Sequence, residues 1–149
     1  MEVALVERRD WTLLVLAAAK GAPLTPVQLQ KALFLVGKNI SKRRLGSFYK
    51  FRPYDYGPFD SAVYTDAESL QRDGLVEISR MGSVREYAAT SPGLGAASDL
   101  RADMLAEDEA YIDRLVDWVR PLSFSQLVQA IYREYPEMRA NSVFRDPAH

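Results

Sequence analysis

The feature that most restricts the fold is a short helix that leads directly into two short strands, within residues 60–89. An apolar stripe at helical spacing, followed by Gly74 as a left-handed cap, predicts a helix over about residues 60–73. The stripe consists of Val63, Ala67 and Leu70. Residues 76–80 and 84–89 then predict two strands of an antiparallel hairpin. This order is typical of a winged helix, so the sequence predicts a mainly α fold with a winged-helix-like core and a small β-hairpin.

Two helices are predicted upstream of this unit. The apolar run within residues 10–20 predicts a buried helix. The next helix begins at Thr25, because Gln28 stands at capping-box spacing and Pro26 occupies the first helical position. Gly37 is expected to end this second helix.

A C-terminal helical pair is predicted downstream of the hairpin. The first helix extends across residues 98–119, and the second begins at Ser123, which opens another capping box. The tail from Asn141 is expected to be loose. The chain is predicted to form a single domain over residues 1–149, with a winged-helix-like core at 10–90 and C-terminal helices at 98–136.

The charges are strongly segregated, although the net charge is only −1. From Trp11 to Tyr54 there is no Asp or Glu, whereas residues 99–117 carry seven acidic residues against Arg101 and Arg114. Two oppositely charged surfaces on one small domain favour contacts with partners. The alternative is that the two segments lie against each other and compensate.

The predicted helix of residues 60–73 is itself acidic. Its carboxylates are Asp60, Asp66, Glu68 and Asp73, and its one cation is Arg72. In a winged helix this element enters the major groove of DNA, where carboxylates oppose binding near the phosphates. We therefore expect the helix to pack on the domain or to meet a basic protein partner. The candidate protein-binding residues are Asp66, Glu68 and Arg72.

A basic, aromatic segment precedes the acidic helix. Its residues 48–52 alternate in a way that predicts a short strand. Exposed rings can stack on bases while cations hold the phosphate backbone, which would make this segment a nucleic-acid interface. The alternative is that the aromatic residues belong to the core. The candidate nucleic-acid-binding residues are Lys38, Lys42, Arg43, Arg44, Lys50 and Arg52.

Residues for catalysis are scarce. The sequence contains no Cys, and its one His is the terminal His149. The common zinc sites and the Ser-His and Cys-His nucleophile pairs are therefore excluded, and no phosphate loop or dinucleotide fingerprint occurs. We expect no enzymatic activity, no catalytic or metal site and no cofactor. The lack of a signal peptide and of a membrane-spanning apolar run predicts a cytoplasmic protein without membrane contact.

Two short stretches resemble the Panacea antitoxin domain family. They are LQKALFLVGK at residues 29–38 and YDYGPFDSAVY at residues 54–64, and a similar L-x-x-D-G-L pattern follows at residues 70–75. The resemblance covers roughly residues 13–90, and its most specific parts are Leu29-Gln30-Lys31 and Tyr56-Gly57-Pro58. It implies a non-enzymatic antitoxin that neutralises a partner toxin, and it assigns no catalytic residue to this chain.

Two functions are consistent with these observations. The first is an antitoxin-like or regulatory protein-binding module, whose partner is a cognate toxin. The alternative is a winged-helix DNA-binding transcriptional regulator that uses residues 38–52 rather than the acidic helix. The sequence leaves open whether the chain forms a homodimer.

Overall fold

The computed structural model describes residues 6–145, and it shows a mainly helical chain with two small antiparallel sheets. The helices are α1 (Arg8–Ala18), α2 (Pro26–Asn39), α3 (Lys42–Leu45), α4 (Ala62–Arg72), α5 (Ser91–Arg101), α6 (Ala106–Val119) and α7 (Phe124–Glu134), followed by a 3-10 turn (Pro136–Arg139). The strands are β1 (Arg52–Tyr54), β2 (Gly57–Phe59), β3 (Val76–Met81) and β4 (Val84–Ala89). The prediction of a mainly α fold is confirmed.

The core is built around α1, which is apolar on nearly all sides. Every residue from Trp11 to Ala19 is buried, and α2, α4, α5, α6 and β4 all pack against this helix. A helix that is apolar all round belongs in the centre of a domain, because no face of it gains from contact with water. The indole of Trp11 reaches beyond the helix and donates its N–H to the carbonyl of Leu45 at 2.9 Å.

The start of α2 agrees with the sequence, but its end does not. Thr25 and Gln28 form the expected capping box. The prediction that Gly37 ends the helix is wrong, since α2 continues to Asn39. The glycine is needed for packing instead, because a Cβ at this position would lie only 2.7 Å from Cε2 of Phe48. The ring of Phe48 therefore lies directly against the backbone of α2.

The hairpin that follows α4 forms as predicted. Gly74 has a φ of +77° just beyond the helix, and Gly82 has a φ of +65° at the turn between β3 and β4. Leu24, in the loop between α1 and α2, joins this hairpin through an isolated antiparallel bridge to Tyr87. This bridge fixes the start of α2 against β4.

The prediction of a short strand over residues 48–52 is wrong, because the strand begins only at Arg52 and belongs to a hairpin that was not predicted. Residues 48–51 form no strand, and β1 and β2 instead pair across the turn that precedes Gly57, which has a φ of +102°. The C-terminal segment closes over this hairpin. The amide of Val143 donates to the carbonyl of Asp55 at 2.8 Å, and Ser142 Oγ donates to the same carbonyl at 3.2 Å. The expectation of a loose tail from Asn141 is therefore wrong as far as residue 144, and His149 lies outside the described residues.

The C-terminal region contains three helices rather than a pair. The prediction of one helix across residues 98–119 is wrong, because α5 begins at Ser91 and the chain turns at Leu105, whose backbone is extended, before α6. Gly93 lets α5 lie directly on the loop between α4 and β3. A Cβ at this glycine would be 1.9 Å from the carbonyl oxygen of Leu75.

Candidate functional site

Asp66 is part of a buried network and not of an exposed partner-binding face. Its two carboxylate oxygens accept hydrogen bonds from Nε and Nη2 of Arg8, each at 2.8 Å. The Tyr49 hydroxyl donates to the same carboxylate at 2.6 Å and lies 2.7 Å from the Thr12 hydroxyl. Burial, together with the hydrogen bond to Asp66, raises the pKa of Tyr49. The assignment of Asp66 to a protein-binding surface is wrong, because only 7% of the residue is exposed.

The other acidic residues near α4 are mostly engaged within the fold. Asp73 pairs with Arg9 at 2.7 Å. Asp60 accepts hydrogen bonds from the amides of Lys50 and Ala62, which fixes the entry into α4. Together with Asp66, three of the four carboxylates on and around this helix therefore have partners within the fold.

Glu68 and Arg72 keep the exposed positions on α4 that the sequence predicted. With Asp60, Asp66 and Asp73 bound elsewhere, the exposed side of the helix presents one acidic and one basic residue. This surface is therefore close to neutral rather than strongly acidic. A nearly neutral face offers little electrostatic guidance to a basic partner.

The basic and acidic segments meet at one well-defined ion pair. Arg44 Nε and Nη2 donate to the two carboxylate oxygens of Asp108, at 2.7 and 3.1 Å. Asp108 is buried, and the hydrogen bond with it raises the pKa of Arg44. The alternative that the two segments compensate is correct at this point. Arg44 is consequently not available as a nucleic-acid-binding residue without breaking this pair.

Three of the other predicted cations are brought together. Lys38, Lys42 and Lys50 line one groove of about 560 Å³. The ammonium of Lys38 lies over the rings of Phe34 and Tyr135, at 5.5 and 5.6 Å from their centroids. We call this the basic groove.

The two remaining cations lie outside the basic groove. Arg52 lines an adjoining depression that it shares with Lys50, and Arg43 is exposed on α3 without lining either surface. Arg43 and Arg52 therefore do not form one site with Lys38 and Lys42.

The alternative that Phe48, Phe51, Tyr56 and Phe59 belong to the core holds for the three phenylalanines, which are half-buried, and is wrong for Tyr56, which is 43% exposed. The Tyr49 ring is buried, and Phe48 and Phe51 are half-buried. Phe48 contacts Trp11 edge to face with centroids 6.1 Å apart, and Phe51 contacts Phe34 in the same way at 5.7 Å. These rings are committed to packing and do not form an exposed stacking platform.

A second groove, which the sequence analysis missed, lies where α2, the β1–β2 hairpin and α7 converge. Its volume is about 660 Å³, and its lining is mostly apolar. Large side chains stand exposed along it: Tyr54 at 53%, Tyr56 at 43%, Val84 at 46% and Phe124 at 43%. The rings of Tyr56 and Phe124 meet edge to face with centroids 5.0 Å apart, so the hairpin and α7 form one continuous aromatic rim.

A buried lysine lies in this groove. Only 3% of Lys31 is exposed, and its Nζ donates to the carbonyl oxygen of Pro58 at 3.2 Å. Burial lowers the pKa of Lys31 to about 8, and no nearby charge contributes to that shift. Within residues 6–145 this ammonium forms no ion pair, because every ion pair in that part of the chain involves an arginine. We call this surface the Lys31 groove.

The Lys31 groove joins two stretches that are separated in the sequence. Lys31 comes from α2, whereas Gly57 and Pro58 come from the first hairpin. A Cβ at Gly57 would lie 3.6 Å from Cε of Lys31 and 3.2 Å from the ring of Tyr132, so the glycine allows the hairpin to approach both side chains. Nearby, Gln30 exchanges two hydrogen bonds with the backbone of Asp60, at 2.9 and 3.1 Å. These contacts hold the hairpin against α2.

One sequence signal could have indicated this groove. Lys31 and its neighbour Gln30 stand between Leu29 and the apolar run of residues 32–36, so a lysine at this position is buried if α2 packs on two sides. Nothing local indicates what surrounds it, because the walls come from residues 54–59 and 122–124.

Within residues 6–145, no helix is both long and apolar enough to cross a membrane. The same range contains no cluster of three or more His, Cys, Asp or Glu side chains suited to hold a metal ion. The chain matches none of the protein families, curated proteins or solved structures with which it was compared.

Proposed function

We propose that this chain is a non-enzymatic, antitoxin-like protein-binding module and that the Lys31 groove is its docking surface. The observation that carries the proposal is the exposed aromatic rim around an apolar groove of about 660 Å³. Exposed tyrosine and phenylalanine side chains beside a concave apolar surface are typical of the few residues that dominate a protein interface.

The antitoxin part of the proposal is supported by the resemblance to the Panacea domain family. The two most specific stretches of that resemblance contribute Lys31 and Tyr56-Gly57-Pro58, and these residues meet in the Lys31 groove. The expected partner is a cognate toxin. The cysteine-free composition is consistent with action in the reducing cytoplasm.

Site-specific photo-crosslinking tests the docking surface. Phe124 is replaced by p-benzoylphenylalanine in the native host, and Trp118 receives the same replacement as the matched control. Trp118 is equally exposed, at 44%, but does not line the groove. We expect a crosslinked partner protein at position 124 and none at position 118. Equal yields at both positions, or no adduct at position 124, would contradict the proposal.

A growth assay tests neutralisation by the chain. The crosslinked partner, expressed alone, is expected to arrest growth, and coexpression of the wild-type chain is expected to restore it. Phe124→Arg should abolish rescue, whereas Glu68→Lys and Arg72→Glu on the exposed face of α4 should preserve it. Rescue lost in the α4 variants and kept in Phe124→Arg would move the interface to the face first predicted from the sequence.

A second candidate function is a winged-helix DNA-binding regulator. It is supported by the bridge between Leu24 and Tyr87, whose two backbone hydrogen bonds of 2.8 and 2.9 Å place the loop before α2 beside the β3–β4 hairpin, as the short third strand of a winged helix would lie. It is also supported by the basic groove with Lys38, Lys42 and Lys50.

Salt-dependent DNA retention tests the second candidate. Replacing the three lysines of the basic groove by Ala should weaken retention and reduce the slope of log K against log salt by about 2 to 3, since each phosphate contact contributes about 0.9. Arg44 is left unchanged because it pairs with Asp108. If DNA binding by the wild-type protein does not depend on salt concentration, DNA binding through the basic groove is ruled out.

A further inference from the structure

Within the part of the chain that the structure describes, Lys31 is a buried cation without a counter-ion. Its ammonium has three N–H donors, and the hydrogen bond to Pro58 uses one of them. Taking an ammonium out of water is costly unless it is paired. A buried ammonium is therefore rarely left with one neutral acceptor as its only partner. The groove that contains Lys31 is open to a partner on its aromatic side.

Two helix ends add positive potential to the same surface. The N-cap and first residue of two helices line the groove: Thr25 and Pro26 of α2, and Ser123 and Phe124 of α7. The backbone N–H groups at a helix N-terminus favour a nearby negative charge. Among the described residues, Asp55 is the one acidic residue in the lining, and its presence limits the total negative charge that the groove accepts.

We propose that the Lys31 groove binds a segment of the partner protein that inserts a carboxylate side chain, flanked by an apolar residue, so that the carboxylate pairs with Lys31 Nζ. This inference rests on the proposed docking function, and it names the chemistry of the partner segment. The apolar neighbour packs against the rim formed by Tyr56 and Phe124.

The chemistry of the groove favours a carboxylate over a phosphate. Phosphate recognition commonly uses the planar fork of arginine, and no arginine of residues 6–145 lines this groove. A phosphate also carries nearly two negative charges at pH 7, which Asp55 would oppose. A single carboxylate matches the single unpaired cation.

The number of exposed rings favours a protein segment over a free small acid. Tyr54, Tyr56 and Phe124 are each exposed by more than two fifths, and all three line the groove together with Lys31. A small acid bound to Lys31 would leave most of these rings in water. An extended segment with an apolar residue beside its carboxylate covers both parts of the surface.

A matched pair of small probes tests the carboxylate preference. 4-Phenylbutyrate and its neutral amide have the same shape and differ in charge. We titrate each into isotopically labelled protein at pH 7 and follow the NMR signals of Tyr56, Phe124 and the Lys31 side chain. We expect millimolar binding of the acid and at least about tenfold weaker binding of the amide, as a charged hydrogen bond contributes.

Two variants and one direct measurement assign the preference to Lys31. Lys31→Met should remove the acid preference, whereas Lys42→Met, which alters the basic groove, should retain it. In the wild-type protein, saturating acid should move the ¹³Cε titration midpoint of Lys31 to higher pH, because a bound carboxylate stabilises the ammonium. This last measurement does not depend on any variant folding.

The contrary outcomes are specific. Equal binding of acid and amide, a preference that survives Lys31→Met, or no shift of the groove signals with either probe would each overturn the inference. Micromolar binding of the small acid would also overturn it, in favour of a small-molecule pocket. If the crosslink at position 124 forms while the acid preference is absent, the docking proposal stands and this inference alone fails. If the acid preference is present but no crosslink forms at position 124, the docking proposal fails.

Discussion

Replacing Asp66 by Lys tests whether the acidic residues of α4 support the fold or face a partner. The substitution removes the acceptor of two hydrogen bonds from Arg8 and one from Tyr49, and it places an ammonium beside the Arg8 guanidinium. Breaking a buried ion pair by changing one partner typically costs about 3 to 5 kcal/mol. The Arg8 side chain is 39% exposed and can turn into water, which reduces this cost. We therefore expect a loss of about 3 kcal/mol in the free energy of unfolding.

Glu68→Lys is the matched control for this experiment. It makes the same change of charge two residues later on the same helix, at an exposed position without an ion-pair partner within residues 6–145. Substitutions of this kind usually change stability by less than about 0.5 kcal/mol.

The assay is urea denaturation followed by far-UV circular dichroism at pH 7. A loss of about 3 kcal/mol is a large part of the 5 to 15 kcal/mol that typically stabilises a domain, so the midpoint for Asp66→Lys should fall clearly below that of the control. Equal midpoints for the two variants would refute the assignment of Asp66 to the fold.

Three further predictions concern Lys31 and the glycines. Burial lowers the pKa of Lys31 to about 8, below the unfolded value, so the unfolded chain binds more protons between about pH 8 and pH 10.4 and the stability of the wild type rises with pH in that window. The free energy of unfolding of Lys31→Met should therefore exceed that of the wild type by roughly 3 kcal/mol at pH 7. Denaturation at pH 7 and pH 10 should show that this difference becomes smaller at the higher pH. Gly93→Ala should destabilise more than Gly37→Ala in the same denaturation assay, because the added Cβ meets backbone at 1.9 Å in the first case and a movable phenyl ring at 2.7 Å in the second; equal losses would contradict this reasoning. Gly74→Ala should cost about 1 kcal/mol in thermal or urea unfolding through its φ of +77° alone, since no atom lies within 4 Å of the added Cβ, and an unchanged midpoint would show that the residue relaxes to another conformation.

The elements that could be predicted from the sequence are those whose signals are local. The capping boxes at Thr25 and Ser123 place the starts of α2 and α7 because each uses side chains only three residues apart. Gly74 marks the end of α4 for the same reason, since its positive φ is set by the chain itself.

Glycines that serve packing could not be distinguished from glycines that end helices. Gly37 follows the apolar run of α2, as a glycine that ends a helix commonly does. Its role depends instead on its contact with Phe48, which lies eleven positions later on another segment. Gly93 looks like part of a loop, but it lies within α5 because its missing side chain admits the carbonyl of Leu75. A tertiary contact decides both cases, and a single sequence does not contain that contact.

The roles of the charged residues were the hardest to predict. Arg8 and Asp66 are 58 positions apart, and Arg44 and Asp108 are 64 positions apart. Both carboxylates look like solvated positions when each helix is considered alone. Only the packing of α1 on α4, and of the basic segment near α6, converts them into internal partners.

The same comparison shows which charges carry information about a partner. A charge that has an internal counter-ion, such as Asp66 or Asp108, is explained by the fold and needs no external ligand. Lys31 differs because it is as buried as these carboxylates but has only a backbone carbonyl beside it. Replacing a lysine at this position by an apolar residue is expected to stabilise the isolated chain, so the fold alone does not account for the lysine's charge. Under the proposed docking function, the cation in the Lys31 groove, rather than the acidic helix, is therefore the charge that selects the chemistry of the partner.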